Sequence, residues 1–368
     1  MNVPFVDLKT QYLNIKSEVD VAVQSVFEDG VFVGGIFVSE FEKSFAETYG
    51  ANHCIGVGNG TDALSLILKA LGISEDDEVI TPAHSWISTS ETISLAGATP
   101  VFADVDNRHY TITPENVQSK INSKTKAVIV VHLYGQAAPV KEIAELCKKH
   151  NLFLIEDCSQ AHLTEEGNQF VGKFGTASAF SFYPTKNLGA YGDAGCVLTS
   201  DSDLALKIRR LANHGGLSKD EHLMEGINSR LDVLQAAFLS VKLRHLNKWT
   251  DQRIKNASVY FSLLKDVEEI ALPLIRPDTK HSFHLFVIRA MKRNELKSFL
   301  ETHSIQTMIH YPTALPFEPA YKHLKHSVED FPVAFKLSQE ILSLPIYPEL
   351  SVEQITFVCE KIKEFYSK

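Results

Sequence analysis

Ala127-Val-Ile-Val-Val-His132 and Leu152-Phe-Leu-Ile-Glu-Asp157, joined by the helical pattern from Val140 to His150, decide the fold. Both apolar runs are continuous instead of alternating, the pattern of strands covered on both faces. Outward from this unit the same alternation repeats. Upstream stand Cys54-Ile-Gly-Val-Gly before the helical Ala63 to Leu71, then Glu78-Val-Ile-Thr-Pro and Thr99-Pro-Val-Phe-Ala-Asp104, and Thr113-Pro114 marks a further helix start. Repeated strand-then-helix units predict an α/β chain with a mostly parallel, doubly wound sheet. Ligands bind such sheets beyond the carboxyl ends of the strands, which is where Asp157 ends its run.

A second stretch, Ala179-Phe-Ser-Phe-Tyr-Pro-Thr-Lys-Asn-Leu-Gly-Ala-Tyr-Gly-Asp-Ala-Gly195, supplies a partner for that carboxylate. Its apolar strand stops at Pro184, which has no ladder N–H. Lys186 follows in a segment whose glycines permit irregular backbone. Lys186 reads as an ordinary surface lysine or as one desolvated by rigid apolar neighbours, and desolvation makes the amine a usable nucleophile or base. Asp157 reads as a local cap or as the anion that keeps a ring nitrogen protonated. A Schiff-base lysine and such a carboxylate are the two groups that pyridoxal 5′-phosphate requires. Gly58-Asn-Gly-Thr-Asp62, between a strand and a helix, reads equally as an anion site and as a plain N-cap. Trp86 is a core residue or a flat ring stacked on a pyridine face. Ser181 alternates out of its strand's apolar face as a phosphate donor or an ordinary hydroxyl, and Tyr183 lies further along that face.

The 368 residues carry 44% apolar and 22% charged side chains, an ordinary globular composition sized for two domains. A formal charge of −9 argues against a nucleic-acid surface. The first residues show no basic segment followed by a long apolar run, and no stretch reaches the ~20 apolar residues of a membrane span. Five scattered cysteines read as reduced core thiols of a cytoplasmic protein. His132, His162 and His310 lack metal-ligand spacing, so no metal is expected. Neither a Walker A loop, a G-x-G-x-x-G fingerprint nor G-x-S-x-G occurs, which removes the nucleotide-hydrolase, dehydrogenase and serine-hydrolase readings.

The N-terminal arm predicts a helix from about Tyr12 to Glu28, then a break and a capping box of Ser39 with Glu42 before Phe41, Phe45 and Tyr49. From Val233 one long amphipathic run continues to Leu264 and leads into a second domain. There Ser282 to Ile288 and Ile305 to Pro312 read as strands, and Glu295 to His303 and Ser351 to Tyr366 as helices. The expected division is a large domain over 1–248 and a smaller C-terminal α+β domain over 249–368, roughly 120 residues and within normal size.

Four segments carry a family resemblance over nearly the whole chain: Gly58-Asn-Gly-Thr-Asp-Ala-Leu64, Glu156-Asp-Cys-Ser-Gln-Ala-His162, Ser181-Phe-Tyr-Pro-Thr-Lys-Asn-Leu-Gly189 and Gly226-Ile-Asn-Ser-Arg-Leu-Asp232. In this order they resemble the DegT/DnrJ/StrS nucleotide-sugar aminotransferases, which have the aspartate-aminotransferase-like pyridoxal-phosphate fold. The resemblance implies that Lys186 binds the cofactor covalently, Asp157 pairs with its ring nitrogen, Gln160 sits near its phenolic oxygen and Trp86 stacks on its face. Gly60, Thr61 and Ser181 would bind the phosphate, joined by Asn228 of the neighbouring subunit in a homodimer with shared sites. Tyr183, Arg230, His310 and Tyr311 would face the substrate.

Relatives that dehydrate sugars carry histidine in place of Lys186, so the resemblance implies transamination, with L-glutamate as donor and pyridoxamine phosphate as the carrier. The run around Lys186 is similar to that of members acting at C-3 of a dTDP-3-keto-6-deoxyhexose, for lipopolysaccharide, S-layer or other glycans. The alternatives are a C-4 aminotransferase on a dTDP- or UDP-4-keto-6-deoxysugar and a non-catalytic cofactor-binding regulator. One departure is Pro316, about where many members carry a histidine in the loop after His310-Tyr-Pro.

Overall fold

The computed structural model of the chain describes residues 1–367. Helix α1 (Leu8–Asp29) and helix α2 (Ile36–Tyr49) come first. Strands β1 (His53–Val57), β2 (Glu78–Pro82), β3 (Thr99–Ala103), β4 (Thr125–Val131) and β5 (Phe153–Asp157) follow, with α3 (Gly60–Leu71) after β1 and α4 (Ser88–Leu95) after β2. Two short strands, β6 (Glu165–Glu166) and β7 (Gln169–Phe170), precede β8 (Ala177–Ser181) and β9 (Gly195–Thr199). The C-terminal third adds β10 (Ile270–Ala271), β11 (Thr279–Lys280), β12 (Phe286–Ala290) and β13 (Ile341–Leu344).

The main sheet has seven strands in the order β1-β9-β8-β5-β4-β2-β3. From β8 to β3 every pairing is parallel, and β9 runs antiparallel to both neighbours. The predicted sheet is therefore present with one reversed strand. Because β9 returns next to β8, the Lys186 segment is a loop with both stems in the sheet. Helix Val140–His150 explains the crossover between β4 and β5: it buries Val140, Ile143 and Cys147 on one stripe and ends on Asn151 in the left-handed conformation, with Lys148, Lys149 and His150 in its last turn. Register sets Val131 beside Asp157 and Asp157 beside Ala179, so the strand ends that matter lie level.

A second, three-stranded antiparallel sheet, β10-β12-β13, has its own core of Phe286, Ile288, Leu342, Leu344 and the stripe Ile355, Val358, Cys359 and Ile362 of the last helix. Val3 belongs to that core, bonded to the backbone of Ser304 and Gln306 (2.9 and 3.0 Å). Between the sheets, Val128, Val130 and Leu133 share a cluster with Leu285, Val287, Ala314 and Leu315.

Four local expectations change. Helix α2 starts at Ile36, opened by Gly35 at φ 78, so Ser39 lies inside it and gives its hydroxyl to the Ile36 carbonyl. Glu42 is no capping residue either: it accepts the Gly56 N–H (2.7 Å) and pairs with Arg209 (2.9 Å). The run from Val233 is two helices, Val233–Leu243 and Leu246–Leu264, broken where Arg244 and His245 turn to Glu18 of α1. Of the Ser282 strand only Phe286 onward pairs, and Ile305 to Pro312 makes single bridges at Ile305 and Met308.

Candidate active site

The carboxyl ends of β1, β4, β5 and β8 open into one cavity of about 630 Å³. Its floor holds Asp157 and Lys186; Asn59, Gly60, Thr61 and Ser181 form one wall, and Trp86, Gln160, Tyr183, His310 and Tyr311 line the rest. Asn59 caps α3, its side chain taking the Asp62 N–H (2.8 Å). The amides of Gly60 and Thr61 thus begin a first turn that has no intrahelical acceptors, at the positive end of α3. Gly60 is required by close approach: a Cβ there would stand 2.7 Å from that of Ser181. Helix start and strand end therefore form a small cradle of N–H and O–H donors fit for a phosphate.

Asp157 receives the Ser159 N–H (3.1 Å) and the Thr89 hydroxyl (3.2 Å). Its neighbour Glu156 points to the other side of the strand. There it accepts Gly172, Phe174 and Gly175 N–H groups (2.6, 2.7 and 2.7 Å) and His132 Nε2 (3.0 Å). His132 Nδ1 accepts the Ala138 N–H (3.1 Å), so Nε2 carries the proton. Four donors on two oxygens leave no lone pair on Glu156 for an ion, although His132, Glu156 and Cys158 bring ligand atoms within 4.8 Å of one another.

The Lys186 loop is wound tightly. Lys186 N–H bonds the Tyr183 carbonyl and Ala190 N–H the Phe182 carbonyl (both 2.8 Å), and a Cβ on Gly189 would stand 2.3 Å from the Pro184 oxygen. Lys186 keeps partial exposure into the cavity. Burial on its other sides pushes the amine down to about 8, against the opposing pull of Asp157. Gln160 is oriented by two partners: its oxygen accepts the Tyr134 N–H (2.8 Å) and its amide donates to the Tyr311 hydroxyl (2.9 Å). Trp86 and Tyr183 are 55% and 53% exposed, so both rings stand open to the cavity mouth. Trp86 is thus no core residue. Its ring centroid lies 5.4 Å from that of Tyr311.

Ten of the sequence-predicted site residues therefore meet: Gly60, Thr61, Trp86, Asp157, Gln160, Ser181, Tyr183, Lys186, His310 and Tyr311. Asn228 and Arg230 do not line this cavity. Both are exposed on a segment fastened by Ser229, whose hydroxyl donates to Asp62 (2.6 Å) and accepts the Gly58 N–H (3.0 Å). Sequence reasoning missed Ser88, Asp193 and His284 as lining residues. Ser88 meets Thr61 (2.8 Å). His284 was hidden inside an assumed strand, where a polar residue among Phe283, Leu285 and Phe286 was the one signal.

The model of the DegT/DnrJ/EryC1/StrS aminotransferase family matches residues 13–363. The chain belongs to this family. A transaminase of Aneurinibacillus thermoaerophilus, for dTDP-3-amino-3,6-dideoxy-alpha-D-galactopyranose, is 42% identical over 363 residues, 99% of each chain. A protein of Geobacillus stearothermophilus named as a pleiotropic regulatory protein is 44% identical over 368 residues, 100% of this chain and 99% of its own. Among solved structures, Streptomyces venezuelae DesV in complex with a ketimine intermediate superposes with a TM-score of 0.98 at 39% identity, covering 100% of this chain and 99% of that one. DegT/DnrJ/EryC1/StrS aminotransferases work with pyridoxal 5′-phosphate, and this chain is one of these enzymes by family and fold. The cradle, the strand-end Asp157 and the desolvated Lys186 fit that cofactor. Among the described residues no helix is long and apolar enough to cross a membrane.

Proposed function

We propose that the chain transfers the amino group of L-glutamate to the C-3 keto group of a dTDP-3-keto-6-deoxyhexose, in the cytoplasm, for lipopolysaccharide, S-layer or other glycan synthesis. The observation that carries the chemistry is the lowered Lys186 amine facing Asp157 across one cavity. The position on the sugar rests on the 42% identical transaminase of a dTDP-3-amino sugar.

When bound, pyridoxal phosphate supplies a ring that draws electrons from the carbon bearing nitrogen. Lys186 would hold the cofactor; its freed amine would take the proton from the nitrogen-bearing carbon of glutamate, which leaves as 2-oxoglutarate, and in the second half-reaction would deliver a proton to the former keto carbon of the sugar. Asp157 keeps the ring nitrogen protonated. Gly60, Thr61 and Ser181 bind the phosphate, Gln160 holds the phenolic oxygen, and Trp86 covers the ring face. Tyr183, His310 and Tyr311 stand at the substrate end. Asn228 and Arg230, exposed and away from their own cavity, reach the partner's phosphate and substrate in a homodimer. We also place the division between a large domain over 1–248 and a small one over 249–368 within the helix Leu246–Leu264, with Val3 as a strand-like tie to the small domain.

The test is to load the protein with pyridoxamine phosphate and offer dTDP-3-keto-6-deoxyhexose and dTDP-4-keto-6-deoxyglucose separately. Return of the cofactor's visible absorbance with the 3-keto sugar alone is expected; return with the 4-keto sugar alone would overturn the position. The name of the 44% identical relative favours a second reading, a regulator without turnover. Protein that binds the cofactor but transfers to neither sugar would support it.

A further inference from the structure

His284 lines the cavity beside Lys186, and the roles proposed above leave it unused. The backbone that presents it is fixed with unusual thoroughness. Phe283 holds φ at 45, a conformation bulky residues adopt only where the surroundings over-determine it. Its N–H is taken by His281 Nδ1 (2.9 Å). Ser282 donates its N–H to the Gly135 carbonyl (3.0 Å) and accepts the Thr164 hydroxyl (2.8 Å). Arg253 holds the carbonyls of Phe283 and His284 (3.2 and 3.3 Å).

The ring's tautomer follows from its neighbour. Asn187 gives its amide nitrogen to the Ser282 carbonyl (3.1 Å), so its oxygen is the atom 3.2 Å from His284 Nδ1. A carbonyl oxygen is met by a ring N–H, which puts the proton on Nδ1 and leaves the lone pair on Nε2. Burial first, and the charge of Lys186 next, push His284 well below the ordinary histidine range, so the ring stays neutral. A neutral imidazole with a free lone pair seeks a donor. Lys186, next in sequence to Asn187, is the one Lys or Arg lining the same cavity.

We propose that His284 is a positioning residue whose Nε2 accepts an N–H from Lys186 once substrate has displaced that amine from the cofactor. This rests on the reading of Lys186 as nucleophile and base. The hydrogen bond holds the amine over the reacting carbon between the two proton transfers. The other charge acting on Lys186 is Asp157, which favours the ammonium; the Lys186 charge in turn pushes down His162 and His310, both kept neutral first by burial.

The experiment is competitive acetylation of Lys186 in the full chain saturated with pyridoxamine phosphate across pH 6 to 11, read by mass spectrometry, with melting curves for every variant. In His284→Phe the Lys186 titration should move down by about one unit, because the ammonium loses its acceptor. His284→Gln, which keeps an acceptor oxygen, should restore most of it. An unchanged titration in folded His284→Phe overturns the proposal. If that variant does not fold, Asn187→Leu carries the test: it unlocks the tautomer, so a smaller downward shift is expected and no shift overturns the proposal. The titration needs no sugar. Failure of the transfer assay would therefore sink the proposed function while leaving this comparison readable, and transfer by wild type with flat variant titrations would sink only the role of His284.

Discussion

Glu156 and Asp157 are adjacent carboxylates at the end of one strand, yet their surroundings differ completely. Glu156 is fully buried and accepts four donors, three of them from the backbone of the Gly172–Gly175 turn. Asp157 accepts two and keeps its remaining capacity toward the cavity. A carboxylate with every lone pair engaged ties segments together and has nothing left for a ligand. One that is only partly engaged is anchored and still available. Strand alternation alone assigns them, since successive residues face opposite sides of the sheet.

The comparison breaks first at Asp157. Asp157→Asn keeps the shape but cannot hold a ring proton, so amino transfer should fall by about a thousandfold, or roughly 4 kcal/mol of barrier. Its melting temperature should stay near wild type; a large drop in stability would mean that Asp157, too, is a tie. Glu156→Gln should show the converse pattern. An amide nitrogen turned against backbone N–H donors should cost about 2–4 kcal/mol in urea unfolding, while folded protein still transfers. Urea curves that superpose would refute the saturated-tie reading.

Lys186 sharpens the contrast because availability costs stability. Its folded value of about 8 lies below the ordinary 10.5, so between these pH values the unfolded chain binds more protons than the folded one. The penalty is full below pH 8 and fades as pH rises toward 10.5. Lys186→Met should therefore abolish transfer yet stabilise the cofactor-free chain by about 1–2 kcal/mol at pH 7, and by nothing near pH 11. A melting comparison at the two pH values decides it. The mildest effect is on wild type itself: covalent capture of pyridoxal phosphate should quicken as pH rises, with a midpoint near 8. A rate still climbing steeply at pH 10 would place the amine in solvent instead.

The strands and the Lys186–Asp157 pair were legible because both depend on local pattern: unbroken apolar runs, a proline stop, and a carboxylate at a strand end. What escaped depends on contacts far along the chain. Ser39 followed by Glu42 looks like a capping box, but Glu42 is claimed by Gly56 and Arg209. Residues Ser282 to Leu285 alternate like a strand, yet their partners are Gly135, Tyr134 and Asn187, and the backbone reverses at Phe283 to reach them. Trp86 was undecidable from its neighbours, since exposure at a cavity mouth belongs to the assembled sheet edge.

The tie between the chain's first residues and its last sheet has a consequence for synthesis. Val3 is wholly enclosed, and Phe5 N–H bonds the side chain of Gln306, 301 positions away (3.0 Å). At translation rates of about 5–20 residues per second, the early segment waits roughly 15 to 60 seconds for its partner to exist. The main sheet can form in that interval, since β1 to β9 are all made by residue 199. The second core cannot close until Ile362 has been made, so residues 2–6 wait for their partners longer than any strand of the main sheet does.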